Sequence, residues 1–437
     1  MSTNVLQTAT PFDLIGGPDK DKLVAAFKGK PLNALRTPAL VVDRAVFRRN
    51  CELMHENAQQ WGDVFRAHVK SHKTAEGTRM QLVTSKNKTD AIVVSTVMEA
   101  YGVVRAGLVA DGTVKDILYG LPVSLNKVQD LSSLWEEIEP SGAVLRLLID
   151  HPDQIKFLET FEKSRAHPRR WSVFIKVDCG SKRAGLVAGT PAFQELLRIV
   201  FDSPAISVHG FYTHGSKSYG STSASEASSH LSDELNAVND AAGAALDYLK
   251  DTKSAAPSPP FVIAVGSTPS AHVATAEAKA EIKAHLNGIL EIHAGNYPLC
   301  DLQQVNTTLV DQRRVAQRVI ATVVSYYPRR GKDGTDEALC DAGAIAMSKD
   351  TGPKPGFGEV LGKPWSLGRV SQEHGVLTQV GKVEKEEDRV RVGDTVEIVG
   401  QHACLILAAY PWYYVVDSES ESKGQVVEDV WVPWKAW

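Results

Sequence analysis

The most reactive arrangement in this chain is a lysine set between two histidines. In Phe65-Arg66-Ala67-His68-Val69-Lys70-Ser71-His72-Lys73-Thr74 the side chains of an extended segment alternate, which puts His68, Lys70 and His72 on one face. Ionisable groups turned inward are costly without partners or a task. An amine taken out of water, or placed beside other cations, releases its proton more easily and can then condense with a carbonyl. The same residues also suit a solvated strand end. Gly266-Ser267-Thr268 lies between a strand-like and a helix-like segment, and its backbone N–H groups and hydroxyls can hold a phosphate dianion. Gly295-Asn296-Tyr297 offers a second turn of this kind. Either turn alone also reads as a capping loop. Asp178 and Arg183 lie in a short loop after a strand, where a surface ion pair is equally natural. Tyr212 and His214 end the next strand and can line a cofactor or a substrate carboxylate, or simply a mouth. In an extended His402-Ala403-Cys404, His402 and Cys404 face the same way and can share one metal ion. Thiolate with imidazole favours zinc, and a pair of protein ligands leaves positions for water and substrate. Cys51, Cys179, Cys300 and Cys340 read as small buried hydrophobes. Gln372-Glu373-His374 is a further segment that could approach the site.

Elements must bring these groups together. Strands are expected at Val64–Val69, Ala91–Ser95, Asp116–Gly120, Val144–Ile149, Ser172–Asp178, Ile206–Tyr212, Phe261–Val265 and Ile289–His293. Helices are expected between them at Thr74–Thr84, Val97–Ala106, Lys127–Ile138, Asp153–Lys163, Pro191–Val200, Glu226–Lys250 and Ser270–Ala284. Such alternation predicts an α/β fold, and eight strands favour a closed (β/α)₈ barrel, whose active face is the C-terminal ends of its strands. After about Leu309 the pattern changes to strands without long helices: Val319–Tyr327, Ala338–Ala346, His374–Val380, Asp394–Val399, Tyr413–Val416 and Val426–Trp434. This predicts a separate antiparallel β domain. Leu40–Val42 is a strand the barrel does not need and can pair with that domain. The expected division is 1–43 as a segment contributing to the β domain, 44–305 as the barrel and 306–437 as the β domain with the metal ligands. Thr252–Pro260 reads as a surface loop.

Composition narrows the function classes. A length of 437 residues suits about two domains. A net charge of −4, with no basic stripe, gives no electrostatic case for nucleic acid. The apolar runs are too short to span a bilayer, and the start, MSTNVLQTATPFDL, has no charged segment followed by an apolar one, so neither a membrane nor a secretory route is expected. Five widely spaced cysteines fit a reducing compartment, with the cytoplasm as the expected location.

Taken together, the motifs resemble a known family. Arg66-Ala67-His68-Val69-Lys70-Ser71-His72-Lys73 is similar to the cofactor-lysine strand of eukaryotic D-serine dehydratases and D-threonine aldolases, fold-type III enzymes of alanine racemase-like architecture. The likeness continues in order through Val177–Gly185, Tyr212–Gly215, Gly266–Pro269, Glu291–Tyr297, Asp341–Ala344, Gln401–Cys404 and Pro411–Tyr414. It implies a (β/α)₈ barrel carrying pyridoxal 5′-phosphate on Lys70, plus the antiparallel domain. It implies that His68, Arg183, Tyr212, Gly266, Ser267, Thr268, Gly295, Asn296 and Tyr297 surround that cofactor, and that His402 and Cys404 bind Zn2+. D-threonine aldolases carry His-x-Asp there, so the thiol points to the dehydratases. Two departures stand out: Ser71 where the family has Thr, and Gly400-Gln401 where it has Pro-Asn. The implied activity is a lyase reaction converting D-serine to pyruvate and ammonia, through removal of the α-proton and metal-assisted loss of the β-hydroxyl. The alternatives are a D-threonine aldolase, a dehydratase of another D-3-hydroxy amino acid, and a non-catalytic carrier of the cofactor. The expected partners are a small D-amino acid and a second copy of the chain in a homodimer.

Overall fold

Short runs of Val, Ile, Leu and Phe bounded by turn residues can bury both faces only inside a parallel sheet sheathed by helices. The computed structural model describes residues 16–62, 64–276, 279, 285–383 and 385–437. The reading of the chain's first residues, and the end of the helix expected over Ser270–Ala284, lie outside them. Strand β1 (Ala39–Asp43) stands apart from the barrel. The next eight are β2 (Val64–His68), β3 (Ala91–Val94), β4 (Asp116–Pro122), β5 (Val144–Ile149), β6 (Trp171–Lys176), β7 (Ile206–Tyr212), β8 (Val262–Val265) and β9 (Ile289–Ala294). They close in sequence order, β9 pairing in parallel with β2.

Alternation splits each strand between two environments. On β3, Ile92 and Val94 pack outward into the main core, while Val93 points inward with Leu118, Leu148, Phe174, Val262 and Ala264. Toward the N-terminal ends the interior is ionic. Arg66, 1% exposed, pairs with Asp116 at 2.6 Å and Glu291 at 2.8 Å, and Arg146 reaches Asp116 at 2.8 Å. Burial alone would strip the Arg66 proton, but Asp116 and Glu291 hold it well charged. Helix starts are set by local caps: Thr74 caps Ala75–Leu82, Thr96 caps Val97–Arg105, and Ser223 caps the long helix Ala224–Asp251.

The second domain is built on β10 (Gln317–Tyr327), β11 (Glu337–Cys340), β12 (Gly358–Val360), β13 (Trp365–Ser371), β14 (His374–Gln379), β15 (Thr395–Gly400), β16 (Tyr413–Val416) and β17 (Asp429–Trp431). With β1 they make a nine-stranded sheet in the order β11-β14-β13-β12-β15-β10-β1-β16-β17. Because β10 also pairs with β11, the strands from β11 to β10 in that order close on themselves as a small barrel. The domain differs from expectation in detail. The strand expected over Ala338–Ala346 ends at Cys340, and Ala344–Met347 turns into a short helix after Gly343. Two strands, β12 and β13, escaped the sequence reading; β12 is only three residues long and follows a Gly- and Pro-rich stretch. Among the described residues no helix is long and apolar enough to cross a membrane.

Candidate active site

Strand β2 ends at His68, and Val69–Ser71 forms a single 3₁₀ turn in which His68 Nδ1 accepts the Lys70 N–H at 3.4 Å. The simple alternation therefore breaks. His68 and Lys70 still line one cavity, of about 320 Å³, at the C-terminal mouth of the barrel. His72 does not: it is fully buried, its ring held by Thr74 at 3.1 Å and Gln81 at 2.8 Å. The two lysines of the segment also separate. Lys73 Nζ pairs with Glu99 at 2.9 Å, whereas Lys70 has no carboxylate partner among the described residues. Burial first, and then the Lys70 charge, push the His68 and His214 imidazoles well below their usual range, so both are neutral beside that amine.

The two glycine turns meet here. Gly266 has a φ of +131°, and a side chain there would collide with the His293 carbonyl. A side chain on Gly295 would press on His68 Cβ at 3.1 Å. Ser267 and Thr268 line the cavity between them, and Asn296 donates its backbone N–H to Thr268 Oγ1 at 3.0 Å, joining the turns. Arg183 and Tyr212 complete this side. Asp178 makes no ion pair with Arg183; its carboxylate accepts the Gly180 and Lys182 amides at 2.9 and 3.1 Å. Tyr297 is the exception among the expected residues. Its side chain is fully buried outside the cavity, with its ring against Phe65 at 5.9 Å. The turn reverses after Asn296, so only its backbone can serve the mouth. Gln372-Glu373-His374 forms the tight link between β13 and β14 and is also absent from the lining.

The metal pair reaches the same cavity by another route. His402 and Cys404 are not on a strand: His402 precedes the helix Ala403–Ala409, and Cys404 is its second residue. Both still line the cavity, His402 from the extended residue that caps the helix and Cys404 from its first turn. His402 Nδ1 bonds Asp350 Oδ2 at 2.7 Å, and Cys404 Sγ meets Ser71 Oγ at 3.0 Å. Burial would raise the Cys404 thiol, but His402, Lys70 and Ser71 outweigh it and draw it below its usual range.

Whether these residues suit the expected groups is decided by their chemistry. A cavity of about 320 Å³ with an unpaired amine, neighbouring glycine turns and Arg183 suits a small aldehyde bearing a phosphate. Two buried polar atoms among its lining residues, His293 Nδ1 and Asn296 Oδ1, have no partner. The His402–Cys404 pair is a soft N,S donor set, and Asp350 on Nδ1 leaves Nε2 as the donor, the outer support usual for metal-bound histidine. Among the described residues no cluster of three or more His, Cys, Asp or Glu supplies a fuller cage.

Comparison with known proteins agrees with this architecture. The family described as alanine racemase, N-terminal domain, matches residues 42–280, and the putative serine dehydratase domain matches residues 316–416. The D-serine dehydratase of Schizosaccharomyces pombe is 38% identical, covering 100% of both chains. The chain belongs to the D-serine dehydratase family. Its relative in Saccharomyces cerevisiae, also a D-serine dehydratase, is 33% identical over 95% of this chain and 99% of its own. Membership makes the chain a lyase, with pyridoxal phosphate dependence implied by the family. Among solved structures, D-threo-3-hydroxyaspartate dehydratase from Delftia sp. HT23 is 27% identical with a TM-score of 0.75, covering 93% of this chain and 100% of that one. That dehydratase has also been solved with a histidine replaced by alanine (TM-score 0.77) and, in a metal-free form, with a cysteine two positions further along replaced (TM-score 0.76).

Several residues at this family site escaped the sequence reading. Tyr219, Ser216 and Gln303 line the cavity, and Asp350 reaches His402 across a gap of 52 residues that no local motif bridges. Glu234 did leave a trace. It sits on the apolar stripe of Ala224–Asp251, with Leu231, Leu235 and Val238, where a carboxyl is out of place. It lies behind the Gly266 turn, accepting from Ser270 Oγ at 2.9 Å, with Oε2 unpartnered. Burial pushes its pKa up to about 8. Folding thus keeps a proton that the unfolded chain releases near 4.5, so this group costs stability progressively as pH rises from there through about 8. Glu234→Gln is expected to flatten that decline, each unit of pKa elevation being worth about 1.4 kcal/mol. Thermal melts of both proteins across the window check it; a wild-type midpoint as flat as the variant's would refute it.

Proposed function

We propose that this chain is a D-serine ammonia-lyase that holds pyridoxal 5′-phosphate on Lys70 and zinc on His402 and Cys404, and releases pyruvate and ammonia. One observation carries the reading: an unpaired amine and a thiol–imidazole pair, from different domains, line a single cavity of about 320 Å³. An α-amino acid with a β-hydroxyl needs both, one acting at the α-carbon and the other at the leaving oxygen. When bound, the cofactor supplies an electron sink for the α-carbon and zinc supplies a Lewis acid for the hydroxyl.

The chain's own residues do the rest. Lys70 Nζ, as the free amine, takes the α-proton; His68 and His214 beside it are kept neutral by burial, so neither offers a carboxylate-like charge that would engage the amine. Gly266, Ser267, Thr268, Gly295 and Asn296 would hold the phosphate with backbone and hydroxyl donors, and Arg183 and Tyr212, which line the same cavity, would flank the rest of the cofactor. Asp350 on Nδ1 would leave the His402 Nε2 lone pair as the donor to zinc. The related dehydratase whose metal-free form lacks a cysteine, in a His-x-Cys spacing like this one, supports the assignment.

The test is an incubation of protein loaded with cofactor and zinc with D-serine, L-serine and D-threonine, measuring keto acid, ammonia and glycine together. Equal pyruvate and ammonia from D-serine, with none from L-serine, is the expected result. Glycine from D-threonine as the faster reaction would overturn it in favour of an aldolase.

A further inference from the structure

Asp301 does not line the cavity, yet it is hydrogen-bonded to both the Asn296 turn and the His402–Cys404 segment. It is fully buried. Its Oδ1 accepts the Gln304 N–H at 3.0 Å, the ordinary duty of an Asp capping the helix Leu302–Asn306. Its Oδ2 does something a cap does not require. It accepts the Asn296 side-chain amide at 2.6 Å and the Ala403 backbone N–H at 2.8 Å. Asn296 is in turn joined to Thr268 at 3.0 Å. A chain of bonded residues therefore runs Thr268–Asn296–Asp301–Ala403, Asn296 using its backbone N–H toward Thr268 and its side-chain amide toward Asp301. It begins in the barrel's glycine turns and ends at the residue between His402 and Cys404, in the other domain. A second bond, Gln303 N–H to the Gln401 carbonyl at 3.1 Å, keeps the two segments in register.

We propose that Asp301 is a positioning residue that couples metal binding at His402 and Cys404 to binding of the phosphate-bearing cofactor at Gly266–Thr268 and Gly295–Asn296. The inference rests on the cofactor and zinc assignment above. Its physical basis is that the spacing of the metal donors depends on the path of the backbone through Ala403, and that path is pinned by the same oxygen that pins Asn296. A ligand filling either site orders the shared chain, so the second ligand meets less of that cost. Such coupling must be reciprocal. An asparagine cannot replace the carboxylate, because one of its two atoms is a donor and would face either Gln304 N–H or the Asn296 and Ala403 donors.

The experiment is a pair of titrations on the full-length protein: pyridoxal phosphate, followed by bound-cofactor absorbance with and without saturating zinc, and zinc, by competition with a chromophoric chelator with and without the cofactor. In the wild type each ligand is expected to tighten the other by the same factor, about fivefold or more. In Asp301→Asn that factor falls toward one and zinc binds about tenfold more weakly. Ala403→Pro is the second variant. It removes the N–H that reaches Asp301 at a helix position, after the extended His402, where proline is tolerated; because Ala403 is fully buried the added ring is checked by circular dichroism and melting midpoint, and a folded variant should lose the coupling. Wild-type protein that binds both ligands independently, or variants that keep the wild-type factor, would overturn the role of Asp301. Wild-type protein that takes up no zinc at any cofactor level would overturn the metal assignment itself, and the coupling with it.

Discussion

Lys70→Ala is expected to lower D-serine turnover on the order of 10⁴-fold and to abolish the visible absorbance of the covalently held cofactor. The expectation rests on the divergence of the two lysines in one short segment. Lys73 turns away and is neutralised by Glu99 at 2.9 Å, so its amine is engaged. Lys70 sits at the cavity with no carboxylate partner among the described residues, beside imidazoles that burial keeps neutral. Lys73→Ala should therefore leave the absorbance in place and act only through the loss of an ion pair. Borohydride reduction and subsequent peptide mapping read the difference directly. An adduct on position 73, or an unchanged spectrum in the Lys70 variant, would end the assignment on which the rest of the chemistry is built.

The second large effect is at the thiol. Cys404→Ala is expected to reduce pyruvate formation on the order of 10³-fold, with cofactor uptake retained when the cofactor is saturating. The loss should be matched by chelation of the wild type and reversed there, but not in the variant, by added zinc. The structural reason is that His402 and Cys404 have no third His, Cys, Asp or Glu to fall back on among the described residues. Removing one donor of a pair leaves a lone imidazole, which does not retain zinc against solvent. Pyruvate production at the wild-type rate by a chelated, metal-depleted protein would remove zinc from the reaction.

These two sites were legible in the sequence because the information is local. Lys70, Gly266–Thr268 and Gly295–Asn296 each come directly after a strand, and the strands of a closed barrel deliver their C-terminal loops to one mouth. The sequence pattern puts His402 and Cys404 on one face of a strand; they reach the cavity instead from an extended cap residue and the first turn of the helix that follows it. His72 and Tyr297 show the limit of alternation. The 3₁₀ turn after His68 sends His72 into the core, and the turn after Asn296 does the same to Tyr297. Asp350 and Asp301 were not readable at all in their bridging roles. Each acts on the 401–404 segment from a point far away in sequence, and only the closed fold sets those distances.

The placement of β1 has a consequence for how the chain can be divided. Residues 39–43 lie between β10 and β16, antiparallel to one and parallel to the other. A C-terminal fragment beginning after the (β/α)₈ portion would lack this strand and expose two unsatisfied sheet edges, the kind of surface that recruits other chains. In chain order the strand precedes the barrel, whereas its partners at 317–320 and 414–416 follow it. The segments flanking the eight-stranded barrel are thus joined in one sheet, and a single cut between the two domains leaves one of them without a strand.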